Sequence, residues 1–189
     1  MVIKVFTMSA NEYNIAVNLS KFQIIYGIHS SLFGNCLIGV TNDQNAICHL
    51  WFFDGDSSDV CLKIMADEWP GIDLIEDKSV TNEIIESIFS DVNDNLSIFL
   101  KGTDFQINVW KVLMTIPKGN TVTYSDVAGM IGKPKAIRAV ATAIANNRIG
   151  YVVPCHRVLP KNSSNTKFRW GTQRRFAMLN YEKATKVIN

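Results

Sequence analysis

The residues of this sequence best suited to chemistry are an adjacent cysteine and histidine, Cys155 and His156. They follow an apolar run at 149–153, so the sequence predicts that the thiol lies where a buried extended segment reaches a loop. A thiol is mostly protonated at neutral pH and the thiolate is its reactive form, so a nucleophilic cysteine needs a base nearby. Neutral imidazole can take that proton directly or through one water. The pair therefore indicates a cysteine nucleophile with His156 as its base.

A histidine base needs a third group that orients it and stabilises its charged form, and the sequence offers Glu182 for this role. Apolar spacing predicts a final helix over residues 172–185. Glu182 lies three and four residues after Leu179 and Met178, which places its carboxylate beside the apolar face of that helix. A Cys-His pair also occurs in proteins as packing residues or metal ligands. The residues alone leave those alternatives open.

The elements that must position this pair are helical. Apolar residues at three- and four-residue spacing predict helices over 105–116, 124–131 and 135–146. Thr123 is suited to cap the second of these helices and Gly132 to end it. The second and third would form a helix-turn-helix, which occurs both as a packing motif and as a DNA reader. The residues predicted to face inward from the third helix are Ile137, Val140, Ala141 and Ile144, and those predicted to face outward are Lys135, Ala136, Arg138 and Ala139.

The first hundred residues have a different pattern, with short β-branched or apolar runs separated by turn residues. We predict strands over 22–28, 36–40, 46–53 and 96–100 and helices over 60–68 and 80–89. The fold class is therefore α+β. A small N-terminal α/β domain with an antiparallel sheet (1–98) precedes a mostly helical C-terminal domain with the helix-turn-helix (99–189).

Charge is segregated between the two parts of the chain. Residues 1–100 contain 4 Lys and Arg against 14 Asp and Glu, whereas residues 101–189 contain 15 against 3, so the net charges are −10 and +12. Neutralisation of phosphates by Lys and Arg is the main sequence-independent source of nucleic-acid affinity. A polyanionic partner is thus a natural hypothesis for the C-terminal part, and a solvated basic face is the alternative.

Taken together, these residues resemble the O6-alkylguanine-DNA alkyltransferases, or methylated-DNA–protein-cysteine methyltransferases, over nearly all of residues 99–182. The bacterial forms are the most similar. The family's active-site signature is unbroken here as Pro154-Cys155-His156-Arg157-Val158. The match also includes the segment at 131–140, Phe168-Arg169-Trp170-Gly171 and the terminal Glu182.

The resemblance implies direct repair of alkylated DNA in a single turnover. Cys155 would accept the alkyl group of O6-alkylguanine, and of O4-alkylthymine. His156 would be the water-linked base, Glu182 would complete the relay and Asn147 would brace the active-site turn. The substrate pocket implied by the family contains Pro154, Val158, Phe168, Arg169 and Trp170, with Phe168 standing where many members have tyrosine.

The resemblance also implies a way of handling DNA. The target base must leave the duplex, because O6 of guanine cannot reach a buried thiol while the base stays stacked. Arg138 would fill the stack after the nucleotide rotates out, and Tyr124 would press on the flanking phosphate. The second helix of the helix-turn-helix would enter the minor groove, with Lys135, Ala136 and Ala139 beside Arg138 at the DNA.

Several expectations concern cofactors, membrane segments, oligomeric state and metal sites. We expect no cofactor, no membrane segment, a monomer and a cytoplasmic location in which the four cysteines stay reduced. We also expect no metal, because the spacing of His29, Cys36, Cys48, His49 and Cys61 matches no usual zinc pattern. The rival functions are a damage sensor that binds alkylated DNA without reacting, against which Cys155 argues, and a cysteine hydrolase, for which the sequence identifies no oxyanion hole.

Overall fold

The chain forms two structural units, Met1–Thr103 and Asp104–Asn189. This computed structural model describes residues 3–9, 12–13, 22–90, 95–161 and 167–188. The fold contains both helices and sheet, as the α+β prediction required. The boundary predicted after residue 98 is corrected by the structure, because it would divide a strand, Leu96–Lys101, that stays paired along its whole length.

The first unit is built on a six-stranded sheet. Its strands, in spatial order, are β1 (Ile3–Met8), β6 (Leu96–Lys101), β4 (Ile47–Phe53), β3 (Gly34–Thr41), β2 (Gln23–Ser31) and β5 (Asp73–Glu76). The strands predicted over 22–28, 36–40 and 46–53 pair antiparallel as expected, but the sheet as a whole is mixed. The pairs β2–β3 and β3–β4 are antiparallel, but β1–β6, β4–β6 and β2–β5 are parallel. Parallel neighbours need long connections, so adjacent apolar runs do not reveal them.

Within the described part of this unit, helices α1 (Ser58–Glu68) and α2 (Lys78–Phe89) lie where the sequence predicted them. The start of α2 is held by Asp77, whose Oδ1 accepts hydrogen bonds from the amides of Ser79 at 2.9 Å and Val80 at 3.3 Å. Strand β4 is buried at every residue, which explains its continuous apolar composition.

Both histidines and one cysteine of the first unit lie close to polar protein groups. His29 Nε2 lies 2.8 Å from the hydroxyl of Thr81, and the Cys48 thiol donates to the carbonyl of Gly39 at 3.3 Å. His49 Nδ1 lies 3.3 Å from a carboxylate oxygen of Glu68. Within the described ranges, no group of three or more His, Cys, Asp or Glu side chains is placed to hold a metal ion.

The described part of the second unit contains four α-helices, one 3-10 turn and a short parallel strand pair. The helices are α3 (Asp104–Leu113), α4 (Tyr124–Met130), α5 (Ile137–Ala145) and α6 (Thr172–Ile188), and the strands are β7 (Val122–Thr123) and β8 (Val158–Leu159). The predicted cap of α4 is confirmed. Thr123 Oγ1 accepts from the amide of Asp126 at 3.2 Å, and the Asp126 carboxylate accepts from the amide of Thr123 at 2.8 Å. Gly132 ends this segment with a φ of +70°, which favours glycine.

The turn between α4 and α5 is longer than the sequence indicated. Lys135 and Ala136 were predicted to be helical, but α5 begins only at Ile137. The amide of Ala136 donates to the carbonyl of Lys133 at 2.8 Å, so Pro134 occupies the second position of a tight turn and does not open the helix. Because Ile137 then lies in the first turn of α5, it is 42% exposed and was wrongly assigned to the core. Val140 and Ile144 are buried as predicted, together with Ala143.

Within the described ranges, no helix is both long enough and apolar enough to cross a membrane.

Candidate active site

Cys155 lies in a compact turn that leads into a single 3-10 turn, Cys155–Arg157. The expected extended segment before it is absent from the described chain, since the amides of Val152 and Val153 donate back to Gly150 and Ile149. Tyr151 has a φ of +64°, a backbone conformation that is costly for a bulky residue, and its ring stacks on His156 with centroids 5.5 Å apart. The sharp turn brings the thiol to a cavity wall while leaving the residue only 4% exposed.

Asn147 holds this turn together through four contacts. Its Nδ2 donates to the carbonyls of Val153 at 2.9 Å and Ile149 at 3.3 Å, and to Sγ of Cys155 at 3.2 Å. Its Oδ1 accepts from the amide of Ile149 at 3.0 Å. The side chain is buried, so each contact replaces a bond to water. These hydrogen bonds join Asn147 to the sulfur and to the turn that leads to it, eight residues further along the chain.

We expect Asn147→Ala to lower the free energy of unfolding by about 3 kcal/mol, because it removes buried hydrogen bonds to the carbonyls of Val153 and Ile149 and leaves the amide of Ile149 without its acceptor. Chemical denaturation measures this loss. Asn146→Ala is the matched control, since this neighbouring side chain is half-buried at the end of α5. Equal stability of the two variants would contradict the bracing role.

Glu182 forms hydrogen bonds with two residues of the active-site signature, His156 and Arg157. Its Oε1 lies 2.8 Å from Nε2 of His156, and both of its oxygens accept from Nε of Arg157 at 3.1 and 3.0 Å. Arg157 Nη2 adds a bond of 2.6 Å, and the amide of Gly119 donates to Oε2 at 3.1 Å. Glu182 and His156 are fully buried. The structure thus brings together the histidine and glutamate that the sequence proposed as a pair.

Arg157 was missed as a functional residue by the sequence reasoning, although it stands within the signature. Besides Glu182, its guanidinium binds the carbonyl of Ile116 through Nη1 at 2.5 Å. A buried arginine needs a carboxylate, and Glu182 is one of three acidic residues after position 100. The scarcity of acidic residues in this part of the sequence could therefore have indicated that Arg157 pairs with Glu182.

The protonation states follow from burial and from these contacts. Burial raises the pKa of the Cys155 thiol, although the hydrogen bond from Asn147 and the charge of Arg175 oppose this. Burial likewise lowers the pKa of His156, against the effect of Glu182. For Glu182, burial would raise the pKa, but hydrogen bonds from His156 and Arg157 together with their charges bring it to about 2. The Cys155 thiol and the His156 imidazole are therefore both neutral near pH 7, and the Glu182 carboxylate that is hydrogen-bonded to the imidazole is ionised.

His156 and Cys155 share no hydrogen bond in the described structure, and Nδ1 of His156 is buried without a protein partner there. The imidazole is oriented from its other nitrogen, Nε2, by Glu182. Nδ1 is consequently the ring nitrogen that is available to receive a proton.

A cavity of about 340 Å³ opens beside the cysteine. Its lining is mainly apolar, with several basic side chains and, among the described residues, no acidic one. The predicted site residues Tyr124, Asn147, Cys155, Phe168, Arg169 and Trp170 line it, and Ala141, Ile144, Ala145, Lys167 and Arg175 complete the lining. Two predicted pocket residues, Pro154 and Val158, are buried but do not line the cavity in the described structure. Val158 is fully buried and pairs with Val122 in the β7–β8 ladder.

The far wall of the cavity is held by contacts between α5 and the segment before α6. Arg169 Nε donates to the carbonyl of Ala145 at 2.9 Å. Phe168 packs edge-on against Trp170, with ring centroids 5.4 Å apart, and the guanidinium carbon of Arg175 lies 4.5 Å from the Phe168 ring centroid. Sequence reasoning did not select Arg175.

Most of the residues proposed to contact DNA do not line the cavity. Arg138, Lys135 and Ala139 are exposed and Ala136 is half-buried, all on the turn before α5 or on α5 itself. Tyr124 is half-buried at the start of α4 and is the member of this group that lines the cavity.

Comparison with known proteins places this geometry in context. A family model described as 6-O-methylguanine DNA methyltransferase, DNA binding domain, matches residues 104–184. A probable methylated-DNA–protein-cysteine methyltransferase of Acanthamoeba polyphaga mimivirus is 44% identical over 117 residues, which are 59% of this chain and 78% of that protein. The bifunctional transcriptional activator/DNA repair enzyme Ada of Escherichia coli is 37% identical over 167 residues, which are 86% of this chain and 46% of Ada. The chain thus spans about half the length of that relative.

A solved structure is also similar across both units. The crystal structure of Mycobacterium tuberculosis OGT in complex with DNA has a TM-score of 0.65 and 28% sequence identity to this chain. The match covers 85% of this chain and 93% of that one.

Proposed function

Because this chain belongs to the 6-O-methylguanine DNA methyltransferase family, we propose that it repairs DNA by moving the alkyl group of O6-alkylguanine onto Cys155. The observation that carries the proposal is the position of the thiol. It lines the cavity, Asn147 donates a hydrogen bond to its sulfur, and the adjacent His156 is hydrogen-bonded to Glu182. O4-alkylthymine is the second expected substrate.

The reaction begins with the proton of the thiol. His156 is neutral and its Nδ1 has no partner among the described residues, so it takes this proton through one water while Glu182 stabilises the resulting imidazolium. The thiolate then attacks the alkyl carbon. A sulfur–carbon bond forms, the carbon–O6 bond breaks, and guanine leaves with the electron pair and takes up the proton that the thiol gave. The thioether is stable, so each protein molecule acts once and needs no cofactor.

The buried thiol requires that the damaged base leave the duplex. Cys155 is 4% exposed, so a stacked guanine cannot reach it, whereas the cavity beside it is of the size that holds a small ligand. We propose that α4, the following turn and α5 act as a helix-turn-helix in the minor groove. Arg138 fills the gap in the stack and Tyr124 presses on the flanking phosphate. The net charge of +12 over residues 101–189 supports binding of the DNA backbone.

We expect Arg138→Ala to slow repair in duplex DNA by roughly tenfold to a hundredfold, while the reaction with free O6-alkylguanine changes little. The free base has no stack to leave, so it does not need the inserted side chain. Single-turnover rates on both substrates measure the difference. Lys111→Ala is the control, because it removes one exposed positive charge from α3. Equal losses on both substrates would contradict the proposed role of Arg138.

The function itself is tested by intact-protein mass after incubation with an oligonucleotide that contains O6-methylguanine. We expect a single added methyl group, which peptide mapping assigns to Cys155. Binding of the damaged DNA without a change in mass would instead support the damage-sensor function. We propose further that the protein works as a monomer in the cytoplasm, where its thiols, all free in the structure, stay reduced.

A further inference from the structure

Ile137 is a bulky apolar side chain that lies exposed on the helix proposed to contact DNA. It is 42% exposed at the first position of α5, and the other large apolar side chains of this helix are buried. Its close neighbours in the chain are the small residues Ala136 and Ala139 and the proposed inserting residue Arg138. Ile137 thus projects further from the helix than the small residues near it, and the mechanism above gives it no role.

The cavity shows which face of α5 carries Ile137. Residues four and seven positions apart share one face of a helix, so Ile137 continues the face that Ala141 and Ile144 form. Both of those side chains line the cavity beside Cys155, whereas Ile137 does not line it in the described structure. Ile137 therefore lies one helical turn beyond the cavity wall, at the end of α5 where Arg138 is proposed to enter the stack.

This position places Ile137 at the base pairs that flank the damaged nucleotide. The damaged base must leave the stack beside Arg138 to reach the cavity, so a side chain between the two meets the minor-groove edge of an adjacent pair. Every base pair shows acceptors on that edge, and a G·C pair adds the 2-amino group of guanine. Isoleucine has no acceptor for this donor, and its branch at Cβ restricts the rotation that could move it aside. An amino group that is covered without gaining a partner is costly.

We infer that Ile137 makes repair depend on the flanking base pairs, so that the protein acts faster where those pairs lack the 2-amino group of guanine. The inference rests on the proposed function and names a preference among its DNA substrates. It concerns the groove outside the cavity, so it applies whichever alkyl group O6 carries. Ile137→Ala leaves room for the amino group and a water molecule, whereas Ile137→Val keeps the branch at Cβ.

Two duplexes that contain O6-methylguanine test the inference. In one duplex the pairs on both sides of the lesion are G·C, and in the other they are inosine·C, which lacks the 2-amino group and its hydrogen bond to cytosine. The quantity measured is the ratio of the second-order rate constants for transfer in a single turnover, inosine over guanine. The inosine pair is also weaker and opens more easily, so the ratio is compared between proteins, for which this effect is the same.

We expect the ratio of the wild-type protein to exceed that of Ile137→Ala by about tenfold, and Ile137→Val to retain most of it. Val60→Ala is the matched control, because it shortens a β-branched side chain that is 60% exposed on α1. This control should keep the wild-type ratio. Equal ratios for the wild-type protein and Ile137→Ala overturn the inference.

A second measurement separates this inference from the proposed function. Cys155→Ala has no thiol to accept an alkyl group, so its equilibrium affinity for the same two duplexes reports contact with DNA alone. We expect the affinity ratio, inosine over guanine, to fall by about tenfold when Ile137→Ala is added to Cys155→Ala. Such a fall, together with absence of methyl transfer by the wild-type protein, would disprove the proposed function and leave the inference standing. An unchanged affinity ratio overturns the inference whether or not methyl is transferred.

Discussion

Replacement of Cys155 with alanine is expected to abolish alkyl transfer, with a fall in rate of at least about four orders of magnitude, because the variant has no atom to accept the alkyl group. Binding of damaged DNA should persist, since the thiol belongs to the cavity wall and not to the exposed surface of α5. Intact-protein mass after reaction with O6-methylguanine DNA measures transfer, and an electrophoretic shift measures binding.

The control for this variant is another buried cysteine. Cys61 is 2% exposed within α1, and burial raises the pKa of its thiol as well. Cys61→Ala should transfer the alkyl group as wild type does. A methyl group found on any residue of the Cys155→Ala protein would sink the assignment of the nucleophile.

Loss of the carboxylate of Glu182 is expected to damage both stability and repair. Glu182→Gln keeps the size of the side chain but leaves the buried guanidinium of Arg157 without a counter-charge and His156 without its anionic partner. Removal of one member of a buried ion pair costs about 3–5 kcal/mol, so we expect a fall in Tm of roughly 10 °C or more. The rate of transfer should also fall by about a hundredfold or more, because the imidazolium loses its stabilising charge.

The same carboxylate predicts a pH dependence. The pKa of Glu182 is lowered from its usual 4.5 to about 2 in the folded protein. The unfolded chain therefore binds this proton more readily than the folded one at mildly acidic pH. Its contribution to stability is complete above pH 4.5 and is lost as the pH falls toward 2.

Thermal unfolding of wild type and Glu182→Gln across this range checks both statements. The stability difference between the two should shrink as the pH falls from 4.5 toward 2. Asp104→Asn, an exposed acid-to-amide change in the first turn of α3, is the matched control and should cost far less. A Glu182→Gln protein as stable as Asp104→Asn would show that the buried network does not support the fold.

Some elements of the fold could be predicted from their own residues, and others depend on segments that are distant in the sequence. Helices with one buried face have a visible period, and buried strands have short apolar runs, so α1, α2, β2, β3 and β4 were predicted close to their observed bounds. Strand β1 was not predicted, because six residues interrupted by Lys4 carry little pattern of their own. It exists through parallel pairing with β6, about ninety residues away in the chain, and such a contact leaves no mark on either segment.

The candidate active site likewise contains features that local sequence predicts and features that depend on distant contacts. The adjacency of Cys155 and His156 and the cap of α4 by Thr123 depend on neighbours in sequence, so they could be stated from the residues alone. The choice of Glu182 required the further step of placing a carboxylate beside the apolar face of α6. The hydrogen bond of 2.8 Å between Glu182 and His156 could not be predicted in this way. The period of a helix shows which of its side chains are buried, but not which residue of another segment they contact.

What the sequence by itself determined is the set of reactive groups, the family and the elements that carry them, since these depend on residue identity and local spacing. Only the tertiary structure decided that Arg157 shares Glu182 with His156, that Pro154 and Val158 stand outside the cavity, and that Arg175 stands inside it. The physical reason is that burial and charge pairing are properties of contacts between distant segments. A basic residue on α6 is an ordinary surface charge in the sequence, and it becomes a buried cation only where it packs on Phe168 in the cavity that Cys155 also lines.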